Sequence, residues 1–366
     1  VLEGAGSPGE VNLKKRDIVN MRMAAHAGAA VLLVGDIDRG GVYAGFIGTM
    51  DVLAEWGRRL VAGFIVNKFR GDATLLADAH RYMLDATGKP VLGVVPHLRD
   101  LGLPEEDSVS FKAGSSGASA ARRPDAVDVA LVSLPYISNF TDFDALAIEP
   151  DVTLRVIDSP AALGSPDAVI LPGSKNTAAD LAFLRSTGLD AALARLIARG
   201  ATELVGVCGG YQMLGRTLSD PHGIEGGASH TGLGYLPLST VWEMDKMLRQ
   251  VRGTHMESGL AVSGYEIHHG QSQACGAPVT MMTEDGRALG HGTADGRIWG
   301  TYLHGLFDAD AFRRWWIDRL RARKGLPEIG CVIASYDTEA ALDRLAAAVR
   351  ESLDMNAIYR LLERDA

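Results

Sequence analysis

Leu204-Val205-Gly206-Val207-Cys208-Gly209-Gly210-Tyr211-Gln212-Met213-Leu214 decides how this chain is read. An apolar strand runs into a helix through Gly-Val-Cys-Gly-Gly, which is the G-x-nucleophile-x-G elbow with Cys in place of Ser. The spacing serves the chemistry. A nucleophile on a sharp turn needs glycines on both sides so that strand and helix approach without side-chain clash. The N-terminus of the following helix favours negative charge on sulfur, and the N–H groups after Cys208 can stabilise an oxyanion. An isolated Cys reads as a small buried hydrophobe; the glycine frame overturns that reading for Cys208.

A thiol nucleophile needs a base. His304, in Trp299-Gly300-Thr301-Tyr302-Leu303-His304-Gly305-Leu306-Phe307, follows an apolar strand. That is where a doubly wound sheet presents its functional residues. His268 and His269, in Gly264-Tyr265-Glu266-Ile267-His268-His269-Gly270, compete with it, and spacing alone leaves the choice open. A second oxyanion donor is expected at Gly173, in the strand-turn-helix stretch Leu171-Pro172-Gly173-Ser174-Lys175-Asn176.

Outward from the elbow, the same strand-helix rhythm fills the chain. Ala30 to Gly35, Val61 to Val66 and Pro90 to Val95 are continuous apolar runs, as buried parallel strands require. The amphipathic segment Leu75 to Ala86 falls between two of them. The rhythm restarts at Val127 to Leu134, Ala168 to Leu171 and Glu203 to Val207, with a late strand at Gly296 to Leu303. Alternation of this kind predicts α/β architecture with two doubly wound domains. The small-residue run Ala113 to Ala121, closed by Arg122-Arg123-Pro124, reads as a linker. The expected division is therefore 1–112, a linker at 113–125, 126–330, and a helical tail at 331–366. The tail's helical runs, Thr338 to Leu353 and Asn356 to Arg364, are rich in Ala, Leu and Arg, as a packing or oligomer surface would be.

The 366 residues are 47% hydrophobic and 22% charged, enough for two domains with full cores. A formal net charge of -9 argues against a nucleic-acid partner. Cys208, Cys275 and Cys331 are too few and too scattered for a disulfide framework or a zinc site, and they fit a reducing cytoplasm. The longest apolar stretch, Ala24 to Val34, is broken by His26 and is too short to span a bilayer. The chain opens Val1-Leu2-Glu3-Gly4, which reads as the middle of a domain and suggests a truncated N-terminus.

Four stretches together resemble class I glutamine amidotransferases, and within them the branch that amidates corrinoids. They are PGSKNT (172–177), GVCGGYQMLG (206–215), GYEIHHG (264–270) and GTYLHGLFD (300–308). The resemblance implies that Cys208 is the nucleophile and His304 its base. It makes Gly173, Gly209, Gly210 and Gln212 the oxyanion and glutamine-binding candidates. Ordinary class I enzymes place a Glu two residues after this His to orient it; here that position is Leu306. The corrinoid branch also lacks that Glu, which leaves Glu266 or a backbone carbonyl as candidate orienters of His304.

The N-terminal part extends the resemblance. EGAGSPGEVNL (3–13), VGDIDRGGV (34–42) and IVNKFRGD (65–72) are similar to loops in the synthetase domain of the cobyric acid synthase family, a domain akin to dethiobiotin synthetase. The implied reaction uses ATP and glutamine to amidate corrin-ring carboxylates, at the b, d, e and g side chains, in cobalamin biosynthesis. Activating a carboxylate as an acyl phosphate calls for Mg²⁺ held by oxygen ligands. Glu3 and Asp36 are the metal candidates, with Asp38 weaker, and Asn67 and Lys68 resemble a pair that reads a purine base. No G-x-x-x-x-G-K-[ST] occurs in the chain. In the family that P-loop stands on the first strand, ahead of the segment with which this chain begins. The expectation is a synthetase domain without its first strand and P-loop, and a chain competent as a glutaminase only. A cobyrinic acid a,c-diamide synthase, a non-catalytic binding module on an amidotransferase fold, and a cysteine hydrolase on the same fold are the competing readings.

Overall fold

The computed structural model describes residues 1–4, 6–99, 101–103 and 123–363. They fall into two compact units: the described residues of Val1–Leu103 with those of Asp337–Ala366, and those of Pro104–Tyr336. Most of the expected linker, residues 113–122, lies outside the described residues.

In the first unit the strand Val61–Phe69 lies between Val31–Asp36 and Val91–Pro96, all parallel. These strands stand on the apolar runs of the sequence. The helix Val42–Val52 turns Val42, Phe46 and Met50 inward at four-residue spacing, onto Leu33, Phe64 and Val66. Ala77–Thr87, ended by Gly88 in the left-handed region, brings in Met83.

The segment expected as a separate tail belongs, from Asp337, to this unit. Asp337 and Asp354 cap the helices Thr338–Ser352 and Met355–Leu362, accepting from Ala340 N–H at 3.0 Å and Ala357 N–H at 2.9 Å. Between the helices, Leu353 pairs antiparallel with Gly93, and Asp354 N–H donates to Leu92 carbonyl at 2.7 Å. The physical reason is that an edge strand carries unpaired backbone groups, which this crossing partly satisfies.

The second unit is built on five parallel strands in the order Ile298–Thr301, Glu203–Val207, Ala168–Leu171, Val127–Val132, Val152–Ile157. Every residue of the middle three is buried. Helices cover them: in Thr177–Thr187 and Leu189–Ala198 the leucines 181, 184, 189, 193 and 196 form the inner stripe. The helix Thr177–Thr187 starts at Asn176, whose side chain accepts from Ala179 N–H at 3.0 Å.

Beyond Ile298–Thr301 the sheet departs from the parallel pattern. The same sheet continues as an antiparallel run through Ala288–Gly292 and Val279–Thr283 to the long ribbon Leu238–His255 and Ala261–Ala274. The sequence gives these strands no continuous apolar run, because the ribbon alternates buried and exposed positions. Half-covered antiparallel strands carry that pattern, and it is weaker than the signal of a strand buried on both faces.

Candidate active site

The chemistry-bearing residues leave the C-terminal ends of the parallel strands. Cys208 follows Glu203–Val207, His304 follows Ile298–Thr301 and Gly173 follows Ala168–Leu171. Asn139 and Asp142 come from the segment after Val127–Val132. In an open α/β sheet this is the edge at which ligands bind.

Cys208 has φ 49° and ψ -105°, a conformation that costs a non-glycine residue about 1–3 kcal/mol. It is held there by its own N–H, donated to Thr301 carbonyl at 2.8 Å, and by its carbonyl, which accepts from Gln212 N–H at 3.0 Å. The glycines are obligatory. A Cβ on Gly206 would come within 2.7 Å of Gly210 carbon, and one on Gly210 would run into Leu171 carbonyl. The sulfur is buried, with Ile267 carbonyl 3.7 Å away.

His304 is fully buried. Its Nδ1 lies 2.6 Å from Asp142 Oδ2 and 3.0 Å from the Asn139 side-chain amide. Its Nε2 has no hydrogen-bond partner. Tyr265 stacks on the ring at 5.1 Å and exchanges backbone hydrogen bonds with His304 at 2.9 and 3.1 Å. That approach needs Gly264, where any Cβ would strike His304 carbonyl. Burial works to keep the imidazole neutral, but the bond to Asp142 and the neighbouring Cys208 sulfur outweigh it and raise His304 to about 10. The Tyr265 hydroxyl, pressed by burial and by Asp142, Asp308 and Cys208, is pushed up to about 12.

The competing histidines are engaged elsewhere. His268 Nδ1 meets Gly270 carbonyl at 2.7 Å, and Nε2 meets Glu266 at 3.3 Å. His269 Nδ1 meets Glu243 carbonyl at 3.0 Å. Glu266 does not reach His304 as an orienter. Its carboxylate is buried, which raises its pKa, but bonds from His268, Arg287 and Arg249 hold it down to about 2. The carboxylate in contact with His304 is that of Asp142 instead, a residue the sequence reading missed. Its signal was the polar Asn139-x-x-Asp142 set between buried apolar residues after a strand, ordinary in itself.

The structure also sorts the oxyanion candidates. Gly210 N–H donates to Pro172 carbonyl at 3.0 Å, so it is not open to a ligand. Gly209 begins the helix after Cys208, where first-turn N–H groups lack partners within the helix. Gly173 sits against His304, since a Cβ there would fall 3.1 Å from His304 Cε1. Gln212 is buried behind the elbow, its side-chain oxygen accepting from Trp242 Nε1 at 3.0 Å and Thr177 Oγ1 at 3.4 Å.

The first unit does not gather its candidates into a metal site. Asp36 receives Lys68 Nζ at 3.0 Å and Asp38 N–H at 2.9 Å, and the Lys68 contact holds its carboxyl below the usual range. Glu3 is exposed. Asn67 accepts from the Lys68 N–H at 2.8 Å, and Asp38 is paired with Arg70 at 3.1 Å. Among the described residues no group of three or more His, Cys, Asp or Glu could hold a metal ion. Mg²⁺ is usually held by one or two carboxylates together with substrate phosphates and water; of the two candidates, Asp36 is engaged by Lys68 and Glu3 is exposed. No helix among the described residues is long and apolar enough to cross a membrane.

The chain is similar to known proteins over nearly its whole length. The CobB/CobQ-like glutamine amidotransferase domain matches residues 128–312. The chain is 53% identical to a cobyric acid synthase of Nitratidesulfovibrio vulgaris, over 99% of this chain and 74% of that protein. It is 51% identical to a cobyric acid synthase of Desulforudis audaxviator, over 98% and 73% respectively. With the adenosylcobalamin biosynthesis bifunctional protein CobDQ of Leptospira interrogans it shares 48% identity, over 99% of this chain and 42% of that one.

Proposed function

Since the chain belongs to the cobyric acid synthase family, we propose that it releases ammonia from glutamine at Cys208 and His304 and directs it to the carboxylates of a corrinoid. It is an amidotransferase of the ligase class, and its reaction is an amidation in cobalamin biosynthesis. The carrying observation is the pairing of a strained, buried Cys208 with a histidine whose Nδ1 is tied down and whose Nε2 has no bond to lose.

Cys208 gives its thiol proton to His304 Nε2, and its sulfur attacks the carbon of the glutamine side-chain amide. The oxygen takes up negative charge against the Gly209 N–H and the Gly173 backbone. His304 passes a proton from Nε2 to the departing nitrogen, ammonia leaves, and a γ-glutamyl thioester remains on Cys208. Water then attacks the thioester, His304 accepts its proton, and the thiol is restored as glutamate leaves. Ammonia needs a carboxylate activated beforehand, and ATP is the expected activator. The b, d, e and g side chains of adenosylcobyrinic acid a,c-diamide are the expected acceptors, with cobyric acid as product. A cytoplasmic location suits these substrates.

Ammonia release from glutamine by the purified chain tests the first half. Cys208→Ala is expected to lower it by at least about 10³-fold. Equal release by both proteins would remove the assignment. The acceptor is tested by mass spectrometry of cobyrinic acid a,c-diamide incubated with chain, ATP and glutamine, each amidation replacing a hydroxyl by an amine.

A further inference from the structure

In ordinary class I amidotransferases the residue two places after the histidine orients it; here that residue is Leu306, buried in the core. The carboxylate beside His304 arrives from 162 residues upstream. Asp142 is itself only 4% exposed and uses both oxygens on the same short stretch: Oδ2 lies 2.6 Å from His304 Nδ1, and Oδ1 accepts Gly305 N–H at 2.9 Å. Two bonds fix the plane of the carboxylate as well as its distance.

The local fold delivers it there. Ile137–Ser138 pairs antiparallel with Gly173–Ser174, and Asn139 turns the chain at φ 52°. A short 3-10 helix, Phe140–Phe143, follows, with Asp142 N–H bonded to Asn139 carbonyl at 3.0 Å. Phe143, buried near Phe307 with ring centroids 6.4 Å apart, anchors the turn.

We propose that Asp142 is the positioning residue of the glutaminase site, completing an Asp142–Cys208–His304 triad in which it keeps the His304 proton on Nδ1 and leaves Nε2 for the thiol and the leaving nitrogen. The proposal rests on the assignment of glutamine hydrolysis to Cys208 and His304. A carboxylate holding Nδ1–H fixes the imidazole tautomer and stabilises the imidazolium that forms. The charged or titratable groups facing His304 are Asp142 from the 3-10 helix, Cys208 from the elbow and Tyr265 from the strand Ala261–Ala274. Asp308, on the turn after His304, is itself raised to about 7 by burial and by Asp142, and it acts on Tyr265.

Asp142→Asn separates a positioning role from a merely structural one. The amide keeps an oxygen for Gly305 N–H but turns an NH₂ toward Nδ1, which selects the wrong tautomer. The full chain carrying this change should show glutaminase kcat reduced about 10²–10⁴-fold with KM little altered. The alkaline limb of its kcat/KM profile should move to lower pH, whereas Asp142→Glu, which keeps the charge, should leave that limb in place. Unchanged kcat, or a lower kcat with an unmoved limb, would overturn the proposal. If Asp142→Asn does not fold, ¹⁵N NMR of the wild-type His304 ring decides: a proton on Nδ1 at neutral pH supports the proposal, and a neutral Nε2–H tautomer refutes it. Cys208→Ala run in parallel distinguishes the failures, because an active Cys208→Ala protein would remove the glutaminase site itself.

Discussion

Residue by residue, the site depends on groups held away from their relaxed states. His304 is raised from 6.5 to about 10 in the fold, against its own burial, by Asp142 and Cys208. A histidine whose folded pKa exceeds its unfolded value binds its proton more tightly when native. The stability it contributes is complete below pH 6.5 and lost as pH rises through about 10. Urea midpoints measured from pH 6 to 10 should therefore fall, and His304→Gln should flatten that slope; an equal slope in both proteins would show that His304 does not carry it. The nucleophile was legible in the sequence because the elbow is local: Gly206, Cys208, Gly209 and Gly210 meet one another within a few residues. The base was narrowed to three histidines. Its place at a strand end and the family resemblance favoured His304; the structure adds what the sequence did not show, a carboxylate partner 162 residues upstream in Asp142, while His268 is engaged by Gly270 and Glu266 and His269 by Glu243.

Among the elements, continuous apolar strands were read to within three residues, while the parallel strand Val152–Ile157 and the antiparallel ribbon went unseen. A strand buried on both faces declares itself by composition; one covered on a single face shows only alternation, which Leu238–His255 interrupts with a register shift between Trp242 and Met247. The C-terminal crossing is the element whose role was hardest to read. Leu353 and Asp354 are ordinary residues whose meaning comes from the edge of Val91–Pro96. Gly93 permits the approach, since a Cβ there would strike Ser352 carbonyl and sit 2.8 Å from Leu353 Cα. Gly93→Val is expected to loosen Thr338–Ser352 and Met355–Leu362 while glutaminase activity persists. Amide hydrogen exchange would show it as faster exchange in both helices, and unchanged protection there would mean that the bridge holds nothing in place.

At the scale of the molecule, each unit has its own apolar core. In the second, a charged network is buried beside that core. Glu149 accepts from Arg313 Nε at 2.7 Å and Arg314 Nη1 at 3.3 Å, and Arg314 continues to Asp151 at 2.9 Å and Asp318 at 3.0 Å. Asp310 holds Arg313 at 2.8 Å and Tyr336 N–H at 3.0 Å, fixing the end of this unit. Removing one partner from such a network leaves uncompensated charge, typically at about 3–5 kcal/mol. Glu149→Gln should lower the melting temperature of the second unit with faster exchange in Val127–Val132 and Val152–Ile157; a change within about 0.5 kcal/mol would mean the arginines find other partners. The sequence alone determined what depends on neighbours in the chain: the α/β strand-helix order, the elbow, its nucleophile and the family they point to. Only the tertiary structure decided what depends on residues far apart: Asp142 as the partner of His304, the engagement of Glu266 with two arginines, the return of the C-terminal helices to the first unit, and the buried ion network. The reason is physical. Period and turn chemistry are written over a few residues, whereas a buried charge is placed by partners that sequence separation does not reveal.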